Sequence, residues 1–361
     1  MAKRTTTHHK SKPKTGKHPV RLKRHAKRTF RVAVFTLWHS AWIALAIIIA
    51  FPFALIALWL LSAEHTPTNP FGSPQHAEQL TSFSALRSIA DCRSGMVLSI
   101  VAHEDDDLLL INPSLQHAAA KRSCIRTIYI TAGDDGRPES YWRGREHGVQ
   151  AAYAAMLGVQ NNWQTNSESL SGHVVTVSSL VPSKNASLVF LHLPDGGPEG
   201  FGYNSNRIET LKELQYGTVK IVHTVDNASS YTAGQLVSAL AGIMNLDAPS
   251  AIYTQAYGPS LTHGDHSDHQ ATGYFVNLAR REYRGNYTFT SFLGYQVNAM
   301  PANLDEADST AKRKTFEVYA QYDSAICVTT AYCPNMPTYS KYIQRQYVYL
   351  SQTIAARRGS Q

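Results

Sequence analysis

The 361-residue chain predicts an α/β fold, a largely parallel sheet covered by helices on both faces and preceded by one transmembrane helix. Three observations carry this reading. From residue 95 onward, short apolar runs of strand length alternate with stretches of helical periodicity, the pattern of parallel strands joined by crossover helices. Clusters of His, Asp and Gly mostly begin where an apolar run ends, as expected if a ligand crevice lies beyond the carboxyl ends of the strands. Finally, no Lys, Arg, Asp or Glu occurs between Val32 and Leu61.

That last stretch organises the N-terminal third. Residues 1–31 hold 12 of the 34 Lys and Arg and no acidic residue, so the other 330 residues set 22 basic against 26 acidic side chains. The formal charge of +8 therefore belongs to the tail, while the rest carries −4, and no nucleic-acid partner is expected. Ala41–Leu61 alone supplies the about 20 apolar residues that span a bilayer. Trp38, Trp42 and Trp59 lie towards its ends, where indoles favour the headgroup boundary, and spanning helices tolerate a proline such as Pro52. Positive charge on the N-terminal flank keeps that flank cytoplasmic and exports the chain beyond the span. The expected organisation is a basic cytoplasmic tail (1–31), a membrane anchor (32–63), a linker (64–85) rich in Pro, Thr, Gly and Ser, and one exported domain (86–361). A cleaved signal peptide has a shorter apolar region, so a retained anchor is favoured, with Leu61-Ser62-Ala63 as a weak cleavage site. All four cysteines, Cys92, Cys124, Cys327 and Cys333, fall in the exported part, where an even number suggests disulfides. Cys327 and Cys333 form a local pair that closes easily, which leaves Cys92 with Cys124.

Within the domain, Gly95–Ala102 and Ile125–Thr131 read as buried strands, each ending abruptly in polar residues. Arg143–Leu157 has helical spacing and stops at Gly158. His173–Ser178, Ser187–Leu193, Val219–His223 and Ala251–Gln255 read as further strands, Thr232–Asn245 and the stretch from His269 to Arg281 as helices. The segments around Gln160–Gly172 and Pro198–Asn206 are expected to be loops beside the site.

Two of the strand ends carry chemistry. His103-Glu104-Asp105-Asp106-Asp107 sets one imidazole and four carboxylates in five positions, which is electrostatically costly unless cations neutralise it. Alone it also fits a solvated acidic turn. The second cluster, His263-Gly264-Asp265-His266-Ser267-Asp268-His269, opens a helix, and His266 and His269 stand three apart on one face. Two histidines with an intervening Asp, set against an acidic strand end elsewhere, form a candidate metal site.

The segment VAHEDDDLLLINP resembles the AHPDDE motif of the PIG-L/LmbE-like de-N-acetylases, and HSDH resembles their HPDH motif. YITAGDDG, YWRGREHGVQAAYAAMLGV and FLHLPDGG extend the resemblance, in the family's order, over about Gly95 to Arg281. It implies a Rossmann-like three-layer sandwich and a hydrolase removing an N-acetyl group from an amino sugar or glycoconjugate. It also implies Zn2+ held by His103, Asp106 and His269. Two imidazoles and one carboxylate leave a coordination place open for water, as in catalytic zinc sites, where the water's pKa falls to about 7. Asp105 matches the family's general base. His266 matches the residue that, as imidazolium, stabilises the oxyanion and protonates the leaving amine, with Asp268 expected to hold its ring and raise its pKa. Arg143 and Asp195 match positions that contact substrate hydroxyls. Glu104 replaces the family's usual Pro and Asp107 its Glu. A tyrosine that some members place before the second motif is Gly264 here, with Tyr257 or His263 as candidate substitutes. Two other functions fit the same residues: a zinc amidase acting on a non-acetyl amide, and a catalytically silent carbohydrate-binding domain at the cell envelope.

Overall fold

In the computed structural model, residues 80–356 are described apart from 89, 259, 260, 262 and 263; the basic tail, the expected membrane helix, most of the linker and His263 lie outside them. Among the described residues no helix is long and apolar enough to cross a membrane. In chain order the strands are β1 (Thr81–Ser82), β2 (Met96–Val101), β3 (Cys124–Thr131), β4 (Trp163–Leu170), β5 (His173–Leu180), β6 (Ala186–Leu193), β7 (Val222–His223), β8 (Ser230–Tyr231), β9 (Ala251–Gln255), β10 (Tyr287–Phe292) and β11 (Val348–Ile354). The helices are α1 (Ser114–Ala120), α2 (Glu139–Leu157), α3 (Leu211–Tyr216), α4 (Ala233–Asp247), α5 (Ser267–Ala279), α6 (Glu306–Ala320) and α7 (Met336–Ile343).

Nine strands form one sheet in the order β1-β4-β5-β6-β3-β2-β9-β10-β11. Its centre, β6-β3-β2-β9-β10, is parallel throughout, whereas β4–β5, β5–β6 and β10–β11 are antiparallel. The central strands are apolar on both faces because helices cover both. Leu98, Ile100, Ile128 and Val189 pack with Leu236 and Leu240 of α4 and Phe275 of α5. Val97, Val101, Ile125, Tyr129 and Leu188 face the other way, against Val149 and Tyr153 of α2 and Phe316 of α6. Each such side chain contributes about 1.5–3 kcal/mol on burial, and together they make the expected three layers. Helix α2 ends at Gly158, whose φ of +67° no β-carbon hinders. Helix α4 opens with a capping box between Thr232 and Gln235.

The sheet reaches back to Thr81, and Phe83 is buried in the core. This leading segment is held by Asp247, which accepts the Leu86 N–H at 2.8 Å and pairs with the buried Arg126 of β3 at 2.9 Å. Both expected disulfides are present: Cys92–Cys124 ties the approach to β2 onto β3, and Cys327–Cys333 closes a loop between α6 and α7.

Two segments differ from the sequence reading. Only Val222 and His223 of the expected strand 219–223 are extended, and they pair with β8 in a separate two-stranded sheet. Gln160–Gly172 is largely strand: β4 forms a hairpin with β5 through Ser171 and Gly172, both at positive φ. Its polar alternation without an apolar face reflects a place at the sheet's margin, beyond the central parallel strands.

From β2 the chain builds outward to β3 and β6 on one side, then crosses to β9 and β10 on the other. The order therefore reverses between β2 and β9, and a crevice opens at the carboxyl ends of these two strands.

Candidate active site

The acidic run leaves β2 at this crevice. Residues 104 and 105 turn, Asp106 is already helical (φ −63°, ψ −43°), and Asp107–Ile111 form a single wide helical turn. Asp105 and Asp106 accordingly point apart, though because of a turn and not the strand alternation an extended run would impose. Asp106 Oδ2 accepts the His103 N–H at 2.7 Å and the Gln255 side-chain amide at 2.8 Å. Gln255, last residue of β9, also accepts the Ala102 N–H at 3.0 Å, so the neighbouring strand pins the turn.

Helix α5 delivers the second cluster. His266 is its N-cap, with Nδ1 accepting the Asp268 N–H at 3.3 Å, and His269 lies one turn in. The two motifs meet at Asp106, whose Oδ1 is 2.8 Å from His269 Nε2 and whose Oδ2 is 3.2 Å from His103 Nδ1. All three side chains are buried. Ring centroids lie 4.5 Å apart for His103 and His266, and 5.4 Å for His103 and His269. Asp195, beyond the end of β6, stands between two imidazoles, 3.8 Å from His103 Nε2 and 3.7 Å from His266 Nε2. Burial opposes its ionisation, but the two imidazoles and the Gly197 N–H hold its carboxyl below the usual range.

Two groups of buried donors here could hold a divalent cation, and neither includes Asp106. The ligating atoms of His103, His266 and His269 lie within 4.8 Å of one another, as do those of His103, Asp195, His266 and Asp268. Asp268 Oδ1 is buried with no hydrogen-bond partner among the described residues, and His269 Nε2 faces Asp106 Oδ1. Burial would lower the His269 pKa, yet Asp106 and Asp265 raise it to about 10.

Asp268 departs from its expected role. Its Oδ2 is 3.8 Å from His266 Nδ1, outside hydrogen-bond reach, because that nitrogen already caps the helix. The carboxylate instead accepts the Gly196 N–H at 2.8 Å and lies 3.3 Å from His103 Nε2. Nor is His266 raised: burial, together with the charge on His103, pushes it down to about 4 against Asp268 and Asp195.

Arg143 is not brought into the cluster. It pairs with Glu139 at 3.2 Å and Glu146 at 3.0 Å and lies over the Trp142 ring. Arg145 is there in its place, buried, donating to Asp105 Oδ1 at 2.7 Å. The helical stripe Trp142, Arg145, Val149, Ala152 is the signal that separates the two arginines. Asp265 was also unassigned: it lies 2.7 Å from His269 Nδ1 and accepts the backbone N–H of His266 and of Tyr295. Its spacing four residues before His269 is that of a carboxylate orienting a metal-binding imidazole. Glu104 is fully buried, its carboxyl without a hydrogen-bond partner among the described residues, and burial pushes it up to about 8 against the Arg145 charge. Asp107 accepts the hydroxyls of Tyr129 and Tyr153 and is likewise pushed up to about 7 by burial. His192 is a packed histidine between Glu146 and Asp226, not a ligand.

A cavity of about 610 Å³ approaches the cluster, lined by Lys212, Tyr216, Tyr257, Asp265, Ser267 and Tyr295 among others. Pro198 and Glu199, from one of the two segments expected to be loops beside the site, also line it.

A family model described as PIG-L, GlcNAc-PI de-N-acetylase, matches residues 98–279. No curated protein matches the chain. Among solved structures, the 4-carboxy-2-hydroxymuconate hydratase GalB of Pseudomonas putida KT2440 is similar at 12% identity and a TM-score of 0.40, over 74% of this chain and 99% of that one. N,N'-diacetylchitobiose deacetylase of Pyrococcus horikoshii is similar at 15% identity and a TM-score of 0.39, over 73% and 87%. The A40926 pseudoaglycone deacetylase Dbv21 is similar at 17% identity and a TM-score of 0.35, over 65% and 84%.

Proposed function

The chain belongs to the PIG-L family of de-N-acetylases, and from that premise we propose that it is a zinc-dependent hydrolase removing an N-acetyl group from an amino sugar or glycoconjugate. The observation that supports this best is the meeting of His103, Asp106 and His269 at the switch point of the sheet, with Asp105, His266 and Asp195 around them. Those three residues would hold the zinc, which would supply Lewis acidity, bringing a water's pKa towards about 7 and polarising an acyl oxygen. Asp105 is held by Arg145 through Oδ1, and no described residue hydrogen-bonds its Oδ2. That oxygen takes the proton of the attacking water and passes it to the leaving nitrogen. His266, its Nδ1 occupied by the helix cap, turns Nε2 towards the centre and donates from it to the oxyanion. Asp195 receives a sugar hydroxyl, and the cavity beside Tyr257 and Tyr295 admits the rest of the substrate.

The proposal includes location. The charge-free stretch 32–61 anchors the chain, the basic tail stays in the cytoplasm and the catalytic domain is exported. Two disulfides in that domain support an oxidising compartment. The test is acetate release by the full chain from a panel of N-acetylated sugars and glycoconjugates, with zinc and with a chelator. Wild-type protein should release acetate only with metal, and His103→Ala should lose zinc and turnover together. A fully zinc-loaded His103→Ala variant would refute the ligand set. A C-terminal reporter active in the cytoplasm would refute the topology.

A further inference from the structure

We propose that Arg145 is the positioning residue for Asp105, and that Tyr319 and Asp323, outside the family-matched residues 98–279, complete the active site by holding Arg145 in place. This rests on the reading of Asp105 as the base. The guanidinium is buried and all its nitrogens are engaged: Nη2 donates to Asp105 Oδ1 at 2.7 Å, Nη1 to the Gly133 carbonyl at 2.6 Å, and Nε to the Tyr319 hydroxyl at 2.8 Å. The Tyr319 hydroxyl in turn donates to Asp323 Oδ2 at 2.9 Å, itself 3.4 Å from Arg145 Nε, and Glu104 Oε2 lies 3.5 Å away on the same nitrogen. A line of buried polar contacts thus runs from the end of α6 through Arg145 to the carboxylate that would move the proton.

The helices are built to set this line. Helix α2 carries glycine at 144 and 148, where a β-carbon would stand 2.8 Å from the Tyr322 carbonyl and 2.8 Å from the Tyr319 ring. Only without side chains there do α2 and the end of α6 come close enough for Tyr319 to reach Arg145. Gly133, at φ +52°, opens room for both the guanidinium and Glu104. Such a cluster is poorly accounted for by stability alone, since well-packed apolar residues often replace a buried ion pair at no cost. What an apolar replacement cannot do is fix one oxygen of Asp105 and leave the other open. Loss of a group that orients an active-site residue lowers activity by about 10–100-fold.

The experiment uses the full chain and compares Arg145→Gln, Arg145→Lys, Tyr319→Phe, Asp105→Asn and the double variant Arg145→Gln/Asp105→Asn. Zinc content, melting temperature, kcat and KM are measured for each on one N-acetylated substrate. Arg145→Gln should lower kcat about 10–100-fold with KM and zinc content held. Arg145→Lys should recover part of that loss by restoring a cation to Asp105. Tyr319→Phe, which deletes one hydroxyl from a packed ring, should lower kcat by a smaller factor at a nearly unchanged melting temperature. The double variant should be no slower than Asp105→Asn alone, because Arg145 acts through Asp105. An Arg145→Gln enzyme with wild-type kcat, or losses that multiply in the double variant, overturns the proposal while leaving Asp105 as the base. An active Asp105→Asn enzyme overturns the base assignment and this proposal together.

Discussion

Raising the pH through 9 should weaken the fold at an identifiable place, the imidazolium of His192. This residue is next to last in β6 and has φ +57°, with Nδ1 2.8 Å from Asp226 Oδ2 and Nε2 2.5 Å from Glu146 Oε1. Burial by itself lowers its pKa, but the hydrogen bonds and charges of Asp226 and Glu146 raise it to about 9. An unfolded chain returns the ring to about 6.5. A group whose pKa is raised by folding contributes its stability in full below the unfolded value and loses it as pH climbs through the folded one. Here the window runs from 6.5 to about 9, and at 1.36 kcal/mol per tenfold the loss is about 3 kcal/mol. The depressed carboxyl of Asp226 reports the same contact from the other side and is not added. Urea unfolding of wild type and His192→Gln at pH 6.5 and pH 9.5 checks this. The variant should be less stable at pH 6.5 by about 3 kcal/mol, and the gap should close at pH 9.5. Comparison at each pH cancels the other buried groups that titrate in this range, Glu104, Asp107 and Lys312 among them. A gap that stays constant with pH would refute the charged bridge and leave only packing.

The same geometry sets three further outcomes. Asp105→Asn should keep its zinc and lose about 100–10,000-fold in rate, as for removal of a general base, whereas Asp106→Asn should bind zinc weakly and regain some turnover in excess metal; elemental analysis beside kinetics checks the pair. Gly133→Ala places a β-carbon against the Arg145 guanidinium and the Glu104 carboxylate at φ +52°, and should destabilise by about 1–3 kcal/mol in urea melts. Asp247→Ala strands Arg126 in the core without its partner, so unfolding should cost about 3–5 kcal/mol less, read from the denaturation midpoint.

Much of the site was legible in the sequence because its motifs are contiguous. His103, Asp106, His266 and His269 fall in two short runs, each at the end of an apolar strand or the start of a helix, and local spacing alone brings each run's members together. The parallel centre of the sheet was legible for the same reason: β2, β3, β6 and β9 are apolar on both faces and short. The margins were not. β4 is polar along its length because it packs little, so no periodicity separates it from a loop.

Tertiary structure decided what depends on the direction of a side chain. Arg143 and Arg145 are two residues apart on one helix, and only the docking of α2 on α6 sends Arg145 into the site and Arg143 to Glu139 and Glu146. Asp268 neighbours His266 in sequence, yet the helix cap takes His266 Nδ1 and turns the carboxylate to Gly196 and His103. Tyr319 lies 174 residues beyond Arg145, and Asp323 another 4, a separation no spacing rule spans. The sequence by itself determined the two motif clusters that stand at the crevice, since strand ends and helix starts are local. Which of them touch was settled by packing, because contacts between distant segments depend on how closely two helices approach, and here two glycines set that distance.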